Sequence, residues 1–203
     1  MDSIFTNDPG AVNDLPLFNG VFSPQAYLKR QATLIMDIDP LLVKEVSTVL
    51  DQVVSAGGRV FFCGNGGSFG IAEHMVCDYA KGMRRTRVNG FDAVCLGSNG
   101  CLSSALTNDF GHDFALAAEL EMYGKVGDAL VAISSSGNSE NILNAVKYAN
   151  RSNMITFGLD GFGGGKLSSV SHHSYTSKAK TYPEVEACHQ VFLDAVAFCL
   201  WGL

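Results

Sequence analysis

The chain has 203 residues, 47% of them hydrophobic and 17% charged, enough for one substantial core and too apolar for a disordered protein. Its formal net charge of −6 argues against a duplex nucleic-acid binder, which carries a clustered basic surface, and no apolar stretch approaches the length of a membrane span. The six cysteines, Cys63, Cys77, Cys95, Cys101, Cys188 and Cys199, show no CxxC pair and follow no secretory signal, so they are expected to be reduced core residues of a cytoplasmic protein.

Residues 1–22, with the turn formers Asp8-Pro9-Gly10 and Leu15-Pro16, read as an N-terminal arm that is either poorly ordered or in contact with another subunit. A single domain is expected over residues 23–203. From Ser23 to Ala56 apolar residues recur at helical spacing. Ser23-Pro24 caps and opens a first helix, Pro40 opens a second, and Gly57-Gly58 ends it. Strand patterns follow at Val60–Cys63, Phe91–Leu96, Leu130–Ile133, Met154–Leu159 and Ser174–Lys178. Helical patterns lie between most of them, at about Ser68–Met83, Cys101–Thr107, Asp113–Met122, Ser139–Ala149 and Glu184–Trp201. This alternation predicts an α/β fold: a parallel sheet covered by helices on both faces, with right-handed crossovers and ligands at the carboxyl ends of the strands.

Two loops occupy that position. Cys63-Gly64-Asn65-Gly66-Gly67-Ser68 and Ile133-Ser134-Ser135-Ser136-Gly137-Asn138-Ser139 each join an apolar run to a helical one. Such junctions present backbone N–H groups and the positive end of a helix dipole to an anion. Glycines let the backbone approach a ligand, and serine hydroxyls donate to phosphate oxygens. The sequence therefore reads as a binder of phosphorylated small molecules, the alternative being that the serines are ordinary turn and cap residues. The second strand ends Cys95-Leu96-Gly97-Ser98-Asn99 and offers no acid for a ribose, and no GxxxxGK[ST] occurs, so dinucleotide and triphosphate binding are disfavoured.

Two helical faces carry unexpected polar residues. His74 and Asp78 are four apart and share a face. On the last helix Glu186, His189 or Gln190, and Asp194 form a stripe beside the apolar Val185, Cys188, Phe192, Ala195 and Cys199. Solvent exposure alone would explain them. Lys81, Arg84, Arg85 and Arg87 form one short basic cluster, read either as a solvated helix end or as a cation for an anionic substrate.

The two loops, together with Asn108-Asp109-Phe110-Gly111 and Gly163-Gly164-Gly165-Lys166-Leu167, make the chain resemble the sugar isomerase (SIS) family over about residues 30 to 201, and within it the phosphoheptose (sedoheptulose 7-phosphate) isomerases. The resemblance implies a five-stranded parallel sheet flanked by helices and preceded by N-terminal helices, in a homotetramer with active sites at subunit interfaces. It implies that Ser68, Ser134, Ser136 and Ser139, with Ser135 beside them, hold a sugar phosphate, and that Asn65 lies near the open-chain sugar. Asp109 would contact substrate near the interface, or else cap a helix. The resemblance also implies a divalent metal, usually zinc, at His74, Asp78, Glu186 and Asp194. Of these only His74 keeps the family's residue, because Asp78 replaces a Glu, Glu186 a Gln and Asp194 a second His. A more acidic set admits manganese, iron or magnesium. The implied chemistry is ketose–aldose isomerisation through an enediol, with Asp78 as base, and with Asp194 as acid if crowding by Asp78 and Glu186 favours its protonated form. Two other outcomes are the same site acting on a different phosphosugar in a specialised heptose or octose pathway, and a non-catalytic scaffold or sugar-phosphate sensor.

Overall fold

The structure, a computed structural model, describes residues 17–18, 21–82 and 91–202. Most of the N-terminal arm and the basic residues Arg84, Arg85 and Arg87 lie outside the described residues. Two short strands, β1 (Leu17–Phe18) and β2 (Val21–Phe22), pair antiparallel ahead of the domain. Helix α1 (Pro24–Met36) starts where the Ser23 hydroxyl accepts the Ala26 N–H, and α2 (Pro40–Ser55) where the Asp39 carboxylate accepts the Leu41 N–H. Both carry proline in the first turn, where its missing N–H costs nothing.

The sheet follows: β3 (Val60–Cys63), helix α3 (Gly67–Cys77) with a π-helical turn over Asp78–Gly82, β4 (Ala93–Cys95), α4 (Gly100–Phe110) and α5 (His112–Tyr123). Then come β5 (Ala129–Ile133), α6 (Glu140–Arg151), β6 (Ile155–Asp160), α7 (Lys166–Val170), β7 (His173–Thr176) and α8 (Tyr182–Trp201). Strands β3 to β7 form a five-stranded sheet in the order β4-β3-β5-β6-β7, every pair parallel, which is the expected α/β architecture. Alternation along β3 and β5 splits two cores. Val60, Phe62, Val131 and Ile133 pack against α2, α3 and α8, while Phe61, Cys63, Leu130 and Ala132 pack against α5 and α6. Central strands buried on both faces are continuous apolar runs, hence the legibility of β3 and β5.

The differences from expectation lie at edges. β4 and β7 each pair on one side only, and both are shorter than their sequence patterns. The β7 ladder closes where the Ser177 N–H donates to the Asp160 carbonyl. The short helix α7 lacks a long apolar period and is fixed instead by Asp160, whose carboxylate accepts the Gly165 and Ser168 N–H groups. The expected helix over Ser68–Met83 widens into its π-helical turn at Asp78, as Tyr79 buries its ring edge-on to Phe62 and Phe91 and donates to the Leu193 carbonyl. The expectation for the cysteines holds only in part. Cys63, Cys95 and Cys188 are buried, whereas Cys77, Cys101 and Cys199 lie on outward helix faces; all six are free.

Candidate functional site

At the carboxyl ends of β3 and β5 the two loops enclose a cavity of about 130 Å³, lined by Asn65, Ser68, Ile133, Ser134, Ser135, Ser136, Ser139, Tyr182 and Glu186. The N-termini of α3 and α6 border it. Gly66, with φ of 54°, turns the chain into α3, a conformation that favours glycine. None of the cavity serines is a side-chain helix cap: Gly66 is the N-cap of α3, and Ser139, the N-cap of α6, makes no capping bond. Ser134 instead donates to the Ser139 hydroxyl at 3.1 Å. Ser136 accepts the Asn138 N–H within its own turn. Ser135 is buried, and its hydroxyl has no partner among the described residues. A buried orphan donor at a doubly helix-capped cavity calls for an acceptor from outside the chain. Among the described residues no Lys, Arg or His lines the cavity, so hydroxyls and backbone there are the groups that would satisfy an anion.

Asn65 lies between this cavity and a second one of about 240 Å³ lined in part by Ser103, Thr107, His112 and Asn141. The amides of Asn65 and Asn141 exchange two hydrogen bonds, at 2.9 and 2.8 Å, which fixes which way Asn65 presents its donor and acceptor. Asp109 lines neither cavity. It accepts from the neighbouring Asn108 amide near the end of α4, and Gly111 rather than Asp109 is the N-cap of α5.

Along the α3–α8 groove the polar faces converge. His74, Asp78 and Asp194 each offer a ligand atom, all within 4.8 Å of one another. His74 Nε2 lies 3.2 Å from Asp78 Oδ2, and the Gln190 amide donates to Asp194 Oδ1 at 2.8 Å. One imidazole nitrogen and two carboxylate oxygens at this spacing suit a divalent cation. Glu186 stands apart from the three. It lines the serine cavity with its carboxylate pressed onto Gly67, where any side chain would collide with it. Burial raises the Glu186 carboxyl above the ordinary carboxylate range. His189 is fully buried, its Nε2–H donating to the Asp160 carbonyl, and burial lowers its pKa to about 4; it belongs to the core rather than to the polar stripe. The spacing argument does not single out Tyr182 or Asn141. Tyr182 is one turn before Glu186, so extending the i, i+4 rule that links His74 and Asp78 by one more step along α8 would have reached it. Asn141, two residues after Ser139, carried no such signal.

Residues 27–161 match the SIS domain family. The phosphoheptose isomerase of Rhodospirillum rubrum is 33% identical over 161 residues, covering 79% of this chain and 83% of that protein. Phosphoheptose isomerase 1 of Campylobacter jejuni is 30% identical over 154 residues, covering 76% and 82% respectively. The structure of phosphoheptose isomerase from Neisseria gonorrhoeae is similar with a TM-score of 0.81 at 25% identity, covering 88% of this chain and 95% of that one.

Proposed function

This chain belongs to the SIS domain family, and from that premise we propose that it is a ketose–aldose isomerase of a phosphorylated sugar, with sedoheptulose 7-phosphate as the first candidate and a D-glycero-D-manno-type heptose 7-phosphate as product. The observation that carries the reading is the pairing, on one helix, of a serine-built anion cavity at the start of α3 with a histidine–carboxylate group toward its end. From Gly67 to His74 and Asp78 the helix advances about 10 to 16 Å at ~1.5 Å per residue. An extended seven-carbon chain with its phosphate spans on the order of 10 Å at ordinary bond lengths, so a phosphate held in the cavity leaves the far carbons beside that group.

Ser68, Ser134, Ser135, Ser136 and Ser139 hold the phosphate, and Asn65, fixed by Asn141, orients the adjacent chain. Asp78 takes the proton from the carbon next to the carbonyl and returns it to the neighbouring carbon, which turns ketose into aldose through an enediol. Its side chain is shorter than a glutamate by roughly one bond, on the order of 1.5 Å, so the sugar must sit closer to α3. Asp194 faces the same reacting end and is the candidate acid partner only in the cation-free site. His74, Asp78 and Asp194 would hold a divalent cation, zinc by family likeness or a harder ion such as manganese, iron or magnesium by donor type. When bound, such a cation supplies Lewis-acid stabilisation of oxyanion charge.

We also infer a cytoplasmic homotetramer with sites at subunit interfaces. Six free cysteines support a reducing compartment. An apolar groove lined by Ile35, Ile38, Val43, Val191, Ala195 and Phe198 supports burial against another copy. A second reading keeps the site and changes the sugar; Tyr182 and Glu186, which line the serine cavity, favour it. Incubation with a panel of ketose phosphates, read by NMR, separates the two. Turnover of another phosphosugar but not the heptulose supports the second reading. Binding without turnover of any supports a sensor or scaffold.

A further inference from the structure

Asp78 and Asp194 are each contacted by the residue one turn before them on the same helix, Asp78 by His74 and Asp194 by Gln190. The two contacts differ in what a cation does to them. His74 ligates only through a bare ring nitrogen, so if Nε2 is the ligand its 3.2 Å contact with Asp78 gives way. The Gln190 amide engages only Oδ1 of Asp194, and a carboxylate has a second oxygen to offer. This hydrogen bond can therefore persist in the loaded site.

We propose that Gln190 is a positioning residue of the cation group: its side-chain N–H fixes Asp194 in the rotamer that turns the second carboxylate oxygen toward His74 and Asp78. The proposal rests on the reading of those three residues as cation-binding. The residue type fits the role. Asp194 is exposed on its helix while Gln190 is half-buried beneath it, so without a tether the carboxylate would have to be ordered by the cation itself, against its rotamer entropy. A lysine or arginine at 190 would neutralise Asp194 and compete with the cation, and an acid would repel it. A neutral amide orients the carboxylate while leaving its charge intact, as partners of metal ligands generally do.

The test is direct cation binding to the metal-stripped full-length protein, read by Mn²⁺ electron paramagnetic resonance and Co²⁺ visible absorption, with circular dichroism confirming the fold. Gln190→Ala is expected to weaken both ions by about 10- to 100-fold, the range seen when such partners are removed, and to shift the Co²⁺ spectrum. Gln190→Glu, which lacks the N–H, should not rescue binding. Equal affinity in Gln190→Ala overturns the proposal. So does full affinity in Gln190→Glu, which would make residue 190 a direct ligand. Wild-type protein that takes up neither ion overturns the reading of the group itself, and this inference with it. A wild type that binds while both variants match it overturns the inference alone.

Discussion

The two ends of the α3–α8 groove are built on different physical plans. The serine cavity uses backbone and short hydroxyls at strand ends, much of it buried, with every glycine and serine supplied by two contiguous loops. The group at the other end uses the tips of longer side chains on two helix faces, more than a hundred residues apart in sequence, with the His74 side chain 57% exposed. The backbone of the first can be altered only by altering the fold. The second can change residue by residue while the helices stay in place. The family match, which ends at Gly161, takes in both serine loops together with His74 and Asp78, and leaves the α8 residues Glu186, Gln190 and Asp194 beyond it.

The contrast predicts that changes at the two ends separate in kinetics. The largest effect belongs to Asp78→Asn, which should lower kcat by about 10²- to 10⁴-fold, the usual contribution of a general base, and leave sugar-phosphate affinity nearly unchanged in a binding titration. Next, Ser135→Ala should raise KM by roughly 10- to 100-fold, the equivalent of about 1.5–3 kcal/mol for a hydrogen bond to a charged group. It should hold kcat and thermal stability, since its hydroxyl serves nothing in the fold. A stability loss without a KM change would remove Ser135 from the phosphate site. The comparison blurs if either substitution moves both parameters together.

A smaller effect concerns stability and tests the assignment of His189 to the core. Its pKa, lowered from 6.5 to about 4, means that the unfolded chain binds a proton in this window and the folded chain does not. Stability is then full above about pH 6.5 and falls as the pH drops toward 4, by up to about 3 kcal/mol. The raised carboxyls of Glu119 and Glu186 act with the opposite sign, at the acid end of that window. Denaturant unfolding between pH 7 and 4.5 should show the slope, and His189→Gln, which keeps a donor for the Asp160 carbonyl, should flatten it. An unchanged slope would mean that the imidazole titrates normally.

Legibility follows the same division. β3, β5 and the serine loops can be read from the chain because continuous apolar runs and contiguous glycine-serine motifs are local signals. The pairing of His74 with Asp78 is readable from helical spacing. Which residues of α8 join them is not, because several residues of one stripe are compatible with the period. Only the rotation of the packed helix places Asp194 and Gln190 at the group, Glu186 on Gly67 and His189 in the core. The ends of β4 and β7, and helix α7, depend on individual hydrogen bonds, from the Leu96 N–H to the Phe62 carbonyl at β4 and to Asp160 at β7 and α7, which leave no periodic trace.

The central claim is that a sugar phosphate anchored by the serine loops is isomerised at the histidine–carboxylate group. ¹H and ³¹P NMR of sedoheptulose 7-phosphate in deuterated water, with the wild type and Asp78→Asn in parallel, tests it most directly. The account predicts an aldoheptose 7-phosphate carrying exchanged hydrogen at the carbon next to the carbonyl, formed by the wild type and at least a hundredfold more slowly by Asp78→Asn. Equal turnover by both proteins, or tight binding of the sugar phosphate by a wild type that catalyses neither exchange nor conversion, would contradict it.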